Sequence, residues 1–554
     1  MHTPILGYAK QNLMFIKRKK NRSGTVSVVV AEKISGRYRE LVTIGIARSP
    51  EEIDTLVAEG NEWIDRESTR RHPRLDLFGE ERKKCEAELV GVEKMLSYIT
   101  NISANGADLI LDHVFDNVGF NRINDGVFRQ LVKARLSYPA SKAATVEYLK
   151  NHFDEDISLS KIYRYLDKLS DNQHKIVQDI SVFHTKAVLG GHIGVLFYDV
   201  TTLYFEADHE DELRKAGFSK EGRHKNPQII LGLLVSKGGY PLAYCIHEGD
   251  KYEGHTMLPI IKNFVRRYGL EDFVVVADSG LMNNDNIAEL ETNGYKYIIG
   301  TRIKNESRKT KDWILAQQKM DGRMVECDKG NGRRLLVGYT EARARKDAYN
   351  REKGIRRLEK AFHNGTLTKD NINKRGYNKF LKMEGDVRVS INYEKLEEDA
   401  RWDGLKGYLS NTDMLANDIY AAYHNLWHVE RAFRISKSKI EIRPIFHFTR
   451  RRIEAHVCIC FVALKVYKEL ERLLKSSDIN MSVDKVLALA QTVVTIQLTL
   501  PHNKQTISRT MLMKRHQRIA KLFTEAASDV YKRQDWNRSE ARQPTAHPKY
   551  PGTA

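Results

Sequence analysis

Cysteine is scarce: the 554 residues hold five, Cys85, Cys245, Cys327, Cys458 and Cys460, with no CxxC pair and no zinc-like ligand spacing. This pattern excludes a disulfide framework and fits reduced, mostly buried thiols in a cytoplasmic protein. Long apolar runs are missing as well. No window reaches 18 uninterrupted apolar residues, so no membrane-spanning helix and no membrane partner is expected. The opening Met1-His-Thr-Pro-Ile-Leu-Gly-Tyr-Ala-Lys lacks the charged-then-apolar pattern of a secretion signal. Internal repeats are absent too.

What is present is length, apolar content and positive charge. A chain of 554 residues, 41% hydrophobic, exceeds the roughly 250–300 residues at which one core stops growing, so several domains are expected. Its 91 basic and 72 acidic side chains leave a formal charge of +19, which favours a polyanionic partner.

The pattern along the chain changes several times. Residues 1–48 read as a small β region: Leu13–Ile16, Thr25–Val30 and Leu41–Ile46 alternate like strands, and Lys17-Arg-Lys-Lys-Asn-Arg22 reads as a basic, solvated tip. Residues 49–189 read as helical and DNA-binding. Within them Ser141–Lys150 and Ser158–Leu169 resemble a helix-turn-helix whose Lys161 and Arg164 would reach a groove, although an ordinary helical pair fits the same letters.

Residues 190–303 carry strand-like runs at Ile193–Asp199, Leu203–Phe205, Ile229–Val235, Leu242–Ile246, Phe273–Asp278 and Tyr297–Thr301, the later ones alternating with helices. The fold class expected is therefore α/β, a mixed sheet with flanking helices, beside an α+β N-terminal region. Residues 304–411 read as an inserted, largely polar domain. Residues 412–475 hold a signature helix and a second, apolar one, and 476–528 read as a helical C-terminal region. Residues 529–554 are expected to be disordered and a sequencing artefact, because Asp529-Val-Tyr-Lys-Arg-Gln534 is what GAT GTG TAT AAG AGA CAG encodes, a string that resembles a transposon-end sequencing adapter.

Chemistry gathers on three acids. Asp199 and Asp278 end strand-like runs, where sheet-based sites lie. Glu430 sits in Tyr423-His-Asn-Leu426-Trp427-His-Val-Glu430-Arg-Ala-Phe-Arg434-Ile-Ser-Lys437, whose steps of three, four and seven put Tyr423, Leu426, Glu430 and Lys437 on one face of one helix. Tyr423 and Lys437 would then lie roughly 21 Å apart along its axis. The acids are 79 and 152 residues apart, so only tertiary structure can join them. A trio of carboxylates suits two divalent ions acting on a phosphodiester. Each acid alone has a plainer reading as a cap or a solvated charge. Trp427 reads as a core anchor in preference to a base-stacking ring, and His447, His456, Cys458 and Cys460 as parts of a packed helix in preference to a metal cluster.

These residues resemble a transposase of bacterial insertion sequences, with a ribonuclease H-like core, a DDE triad and a Tyr-x2-Arg-x3-Glu-x6-Lys signature. Tyr423, Glu430 and Lys437 match it at those spacings, and the text around them, including Leu426-Trp427, Phe433-Arg434, Arg443-Pro444-Ile445 and His447, resembles the branch of that subgroup in which the arginine position is not arginine; Leu426 thus departs from the wider pattern, and no phosphate clamp carries over there. The resemblance spans about residues 190–470 and makes 190–303 and 412–475 two parts of one catalytic core. It implies that Asp199, Asp278 and Glu430 bind two Mg²⁺ ions, with Mn²⁺ as a substitute, and that Tyr423 and Lys437 contact transposon-end DNA. Arg434 and Arg443 are further candidates for phosphate contacts. Partners implied are double-stranded DNA, as transposon ends and target, and a second copy of the chain on that DNA. A ribonuclease H-like nuclease and a non-catalytic DNA-binding remnant are the alternatives.

Overall fold

Gln228-Ile-Ile-Leu-Gly-Leu-Leu-Val235 is buried at every residue, which places it in the middle of a sheet covered on both faces. The structure is a computed structural model that describes the chain apart from residues 1–13, 35, 72–78, 154, 170, 208, 220–221, 223–224, 282, 369–370, 373–375, 385–387 and 524–554. The expectation for 529–554 therefore lies outside the described residues. The chain forms two compact units, Met1–Ile99 and Thr100–Ala554.

The first unit holds β1 (Met14–Lys20), β2 (Val26–Ile34) and β3 (Arg37–Ala47) in an antiparallel sheet. Helix α1 (Pro50–Arg71) packs on that sheet, and α2 (Gly79–Leu96) follows. Arg71 at the end of α1 reaches Glu32 of β2 at 2.7 Å. The basic run differs from expectation: Lys17–Lys20 belong to β1 and pair with Val29 through Val26, so only Asn21–Gly24 form the turn. β1 is an edge strand, where charged side chains point to water and discourage further pairing.

In the second unit, a short β4 (Ile99–Ser103) precedes five helices, α3 (Gly106–Val118), α4 (Gly126–Ser137), α5 (Lys142–Phe153), α6 (Leu159–Lys168) and α7 (Asp171–Val188). α5 and α6 form the expected pair, with the Ser158 hydroxyl capping α6 and Lys161 and Arg164 exposed.

The large sheet comes next. Its first strands are β5 (Val195–Tyr204), β6 (Gln228–Val235) and β7 (Pro241–Glu248). Helix α8 (Met257–Tyr268), β8 (Val274–Ala277), α9 (Asn284–Thr292) and β9 (Lys296–Thr301) continue it. Then come α10 (Arg308–Ala316), β10 (Met324–Gly330), β11 (Arg333–Tyr339), α11 (Glu341–His363), β12 (Leu381–Glu384), β13 (Arg388–Ile391), α12 (Tyr393–Ala400) and β14 (Leu405–Ser410).

The eight strands lie in the order β10-β11-β14-β9-β8-β5-β6-β7, parallel only at β5–β8 and β8–β9. Residues 304–411 thus contribute three strands to the main sheet, and only the segment from α11 to α12 departs from it. The two runs expected at 193–199 and 203–205 are one strand, β5, because β6 pairs with it continuously from Phe197 to Tyr204.

Side chains alternate across the sheet, so each face has its own core. Tyr198, Val200, Ile230, Leu234 and Ala277 pack with α8 and α9 on one side. Phe197, Leu203, Leu231, Leu233, Val276 and Ile298 pack on the other against α13 (Ala416–His424), α14 (Trp427–Ser438) and α15 (Arg450–Ser476). α15 is buried nearly all round, as expected of an apolar helix amid other elements. Cys458 and Cys460 are fully packed there, and His456 Nε2 donates to the Ile442 carbonyl at 2.8 Å; His447 lies ahead of the helix, its ring 5.6 Å from that of His456. The C-terminal region differs from the helical expectation: after α16 (Val483–Ala490), β15 (Val494–Thr499) and β16 (Thr506–Met511) form a hairpin that joins β4. Their alternating β-branched residues favour extended backbone.

Candidate active site

The sheet brings the two aspartates together. β5 runs parallel to β8 with Phe197 opposite Val276 and Tyr198 opposite Ala277, so the next step sets Asp199 beside Asp278. Adjacent strands lie about 4.8 Å apart. Asp199 shares the parity of Phe197, and Asp278 that of Val276, so both belong to the face covered by α13 and α14. Asp278 follows the last residue of β8, as expected, whereas Asp199 lies inside β5, just past the end of its pairing with β8.

The signature segment is two helices rather than one. The i→i+4 ladder breaks at Asn425 and Leu426, where Leu426 N–H donates to Tyr423 O at 2.9 Å, His428 N–H to Asn425 O at 3.0 Å and Val429 N–H to Leu426 O at 3.1 Å. Tyr423 and Lys437 therefore belong to successive helices, α13 and α14, instead of one. The break sends Leu426 into the core at 6% exposure and turns Trp427 outward at 41%, so Trp427 is not the core anchor expected. On α14, Val429, Ala432, Phe433 and Ser436 face inward, leaving Glu430 and Arg434 exposed and Lys437 half-buried.

Tyr423 lies in the last turn of α13 and is buried, its hydroxyl donating to Asp278 Oδ1 at 2.8 Å. Burial, and after it the Asp278 charge, push this phenol well above its usual range, so it remains a donor. Gly300 of β9 makes the approach possible: a Cβ there would lie 2.4 Å from the Tyr423 hydroxyl. Upstream, Arg334 of β11 donates to the carbonyls of Thr412 at 2.6 Å and Met414 at 2.7 Å, fixing the loop that launches α13. Sequence reasoning missed Gly300 and Arg334; the glycine inside the apolar run Tyr297-Ile-Ile-Gly-Thr301 was the available signal.

A cavity of about 650 Å³ opens over this pair. Asp278 and Lys406 line it from the sheet, Tyr423, Leu426, Trp427 and Glu430 from the signature helices, and Arg343 and Lys346 from α11. Asp199 does not line it, although it neighbours Asp278 in the sheet. As the side chains stand, the described residues contain no group of three or more His, Cys, Asp or Glu placed to hold a metal ion. Arg434 and Lys437 lie outside the cavity lining on the same helix as Glu430, and the Arg443 guanidinium lies 5.5 Å from the centre of the Tyr204 ring.

Removing the phenol isolates its effect on Asp278. Tyr423→Phe keeps the ring contacts with Tyr408 and deletes one hydrogen bond, at a cost of about 1 kcal/mol in stability. If Asp278 acts in DNA cleavage, its loosened orientation lowers the single-turnover rate about tenfold, with DNA affinity unchanged in a filter-binding titration. An unchanged rate contradicts the positioning role.

Residues 190–465 match the family model described as Transposase DDE domain, an interval that contains Asp199, Asp278, Tyr423, Glu430 and Lys437. No protein of curated function matches the chain. One solved structure that the chain resembles is the "Cryo-EM structure of piggyBac transposase synaptic complex with hairpin DNA (SNHP)", at a TM-score of 0.37 and 10% identity, covering 71% of this chain and 77% of that one.

Proposed function

We propose, from a chain whose residues 190–465 carry a DDE transposase domain, that it binds the terminal inverted repeats of an insertion sequence and catalyses metal-dependent strand cleavage and strand transfer. The observation that supports this reading is the parallel register of β5 and β8, which puts Asp199 and Asp278 on neighbouring strands and one face, together with the cavity that Asp278 and Glu430 line. The order β7-β6-β5-β8-β9, antiparallel in its first two pairings and parallel in the next two, supports a ribonuclease H-like core.

The donor chemistry fits a divalent ion, since three carboxylates offer hard oxygen ligands of the kind Mg²⁺ or Mn²⁺ accepts. Glu430 is exposed and lines the cavity over Asp278, and a bound cation would offset the repulsion of neighbouring carboxylates. Asp199, Asp278 and Glu430 would then hold two ions. When bound, such ions activate an attacking oxygen and stabilise the leaving one.

The chain's own residues do the remaining work. Tyr423 fixes one Asp278 oxygen and leaves the other for the cavity. Trp427, at the rim, shields the reacting phosphate from one side, and Lys437, Arg434 and Arg443 contact flanking phosphates. Water serves as nucleophile for cleavage and the released 3′-hydroxyl for transfer, so one site suffices for both steps. A second copy completes the synapse of two ends, and the work is done in the cytoplasm at the bacterial nucleoid.

The test uses the full chain, Mg²⁺ and duplex DNA carrying the element's native terminal repeats beside a target plasmid. Expected are nicks at the repeat ends and strand-transfer products, both abolished by EDTA and restored by excess Mg²⁺ or Mn²⁺. Cutting without transfer supports a nuclease instead, and binding without cutting supports a non-catalytic remnant.

A further inference from the structure

The cavity beside Asp278 is lined by three cations, Arg343, Lys346 and Lys406, as well as by the carboxylates of Asp278 and Glu430, and metal binding alone does not require the cations. Leu426 occupies the position where the signature has arginine, and it is buried, so it offers nothing to a phosphate. We infer that Lys406, with Arg343 and Lys346, forms a phosphodiester clamp that takes the place of that arginine, supplied by the strand and helix of the region inserted after β9. This inference rests on the DNA-cleaving reading above.

Lys406 is the central group. It projects from β14 and is half-buried, with its ammonium 4.3 Å from the centre of the Tyr423 ring and 5.9 Å from that of Tyr408. It forms no ion pair among the described residues, and a half-buried cation without one is costly unless an anion arrives. Burial and then the nearby Arg343 charge hold it below the usual lysine range, while Asp278 and Glu430 act against them. Lys406 lines one cavity with Asp278, Glu430, Arg343 and Lys346, so a phosphate bound there would lie among these groups.

Arg343 and Lys346 lie one turn apart near the start of α11, so they share a face. The position of that turn is fixed by three contacts. Thr340 N–H donates to Gly404 O at 3.1 Å, Gly404 N–H to Asp347 Oδ2 at 3.2 Å, and Arg351 pairs with Asp403 at 2.5 Å. Gly404 accepts this approach at a φ of +79°, where a Cβ would lie 2.5 Å from the Tyr339 ring. The partner of Arg343, Asp347 at 3.6 Å, is an exposed i,i+4 contact that holds it weakly. α11 thus presents two cations and its positive dipole end to the cavity. The occupant best matched is a phosphate oxygen carrying one negative charge, with neighbours along a strand to meet the second and third cation.

The test measures binding and cutting separately, on the full chain with native-end DNA. Binding is titrated by fluorescence anisotropy in Ca²⁺ from 50 to 300 mM salt, and cleavage is followed in Mg²⁺. Lys406→Gln and Arg343→Gln are each expected to reduce the salt slope of log affinity by about one. Lys406→Gln is also expected to lower the cleavage rate about 100-fold, and Lys406→Arg to recover to within about tenfold of wild type. Thermal melting followed by circular dichroism checks the fold, and exposed Arg343→Gln carries the test if Lys406→Gln unfolds.

Slopes and rates unchanged in both variants overturn the clamp and leave the transposase reading standing. A Lys406-dependent slope in a wild-type chain that cuts nothing supports the clamp and overturns that reading. Unchanged slopes in a chain that cuts nothing overturn both.

Discussion

Asp278→Asn is expected to lower Mg²⁺-dependent cleavage of native-end DNA by about 10³-fold or more, while DNA affinity in Ca²⁺ changes less than about threefold. The size follows from its place: a side chain that holds an ion acting on both attacking and leaving oxygens stabilises the transition state far more than the bound ground state. The fold should hardly respond, since Asp278 is exposed and its side chain accepts a hydrogen bond from the Tyr423 hydroxyl, worth about 1 kcal/mol. Glu430→Gln should do the same, as an exposed helical residue costs less than about 0.5 kcal/mol to replace. Groups that act as a unit lose their effect together, so the double variant should be no slower than either single one. Rates that multiply, or Glu430→Gln near wild-type speed, contradict a shared site.

The second large effect concerns stability and lies in α3 and α4. Lys133 is 2% exposed, with its ammonium 2.6 Å from Asp108 Oδ1 and 3.0 Å from Asp112 Oδ1. Arg129 pairs with Asp112 at 2.9 Å and with Asp116 at 2.5 Å. Burial works against the Lys133 charge, yet the two aspartates outweigh it and hold the ammonium above its usual range. With its folded pKa raised, Lys133 contributes fully below the ordinary lysine pKa, hence at neutral pH, and that contribution is lost only as pH rises through the folded value.

Lys133→Met keeps the stem and removes the cation, leaving half-buried Asp108 without an ion-pair partner among the described residues and Asp112 with Arg129 alone. The expected loss is about 3–5 kcal/mol, read as a lower urea midpoint. Adding Asp108→Asn should recover part of it, because the uncompensated charge is then gone. A midpoint unmoved by Lys133→Met would show that the network adds nothing. α4 packs on α15, and α15 on α14, so the same loss should reduce the active fraction without altering the metal requirement of what remains.

Much of the core was readable because burial leaves a plain mark. Ile229–Val235 and Phe273–Ala277 are apolar on both faces, a signal of covered strands, and an aspartate directly after the second of them stands out. Pairing is less readable. Strands β10, β11 and β14 joined the main sheet through contacts of high sequence separation, which no local period records. The break at Asn425–Leu426 was equally hidden, since Tyr423, Glu430 and Lys437 keep helical spacing whether the ladder is continuous or not. At the C-terminal hairpin the signal was present and misread: Val494-Thr-Ile-Gln-Leu-Thr499 alternates with period two. In the site, three acids and a tyrosine were named, but the bond between Tyr423 and Asp278, the space left by Gly300 and the inward Lys406 exist only once distant segments meet.

The central claim is that Asp199, Asp278 and Glu430 share cations. Hydroxyl-radical cleavage by Fe²⁺ bound in place of Mg²⁺, with the cuts mapped by mass spectrometry, tests it most directly. The account predicts backbone cuts close to residues 199, 278 and 430 in one reaction, all suppressed by excess Mg²⁺. Cuts beside Asp278 and Glu430 with none near Asp199, or no cut that Mg²⁺ suppresses, would contradict it.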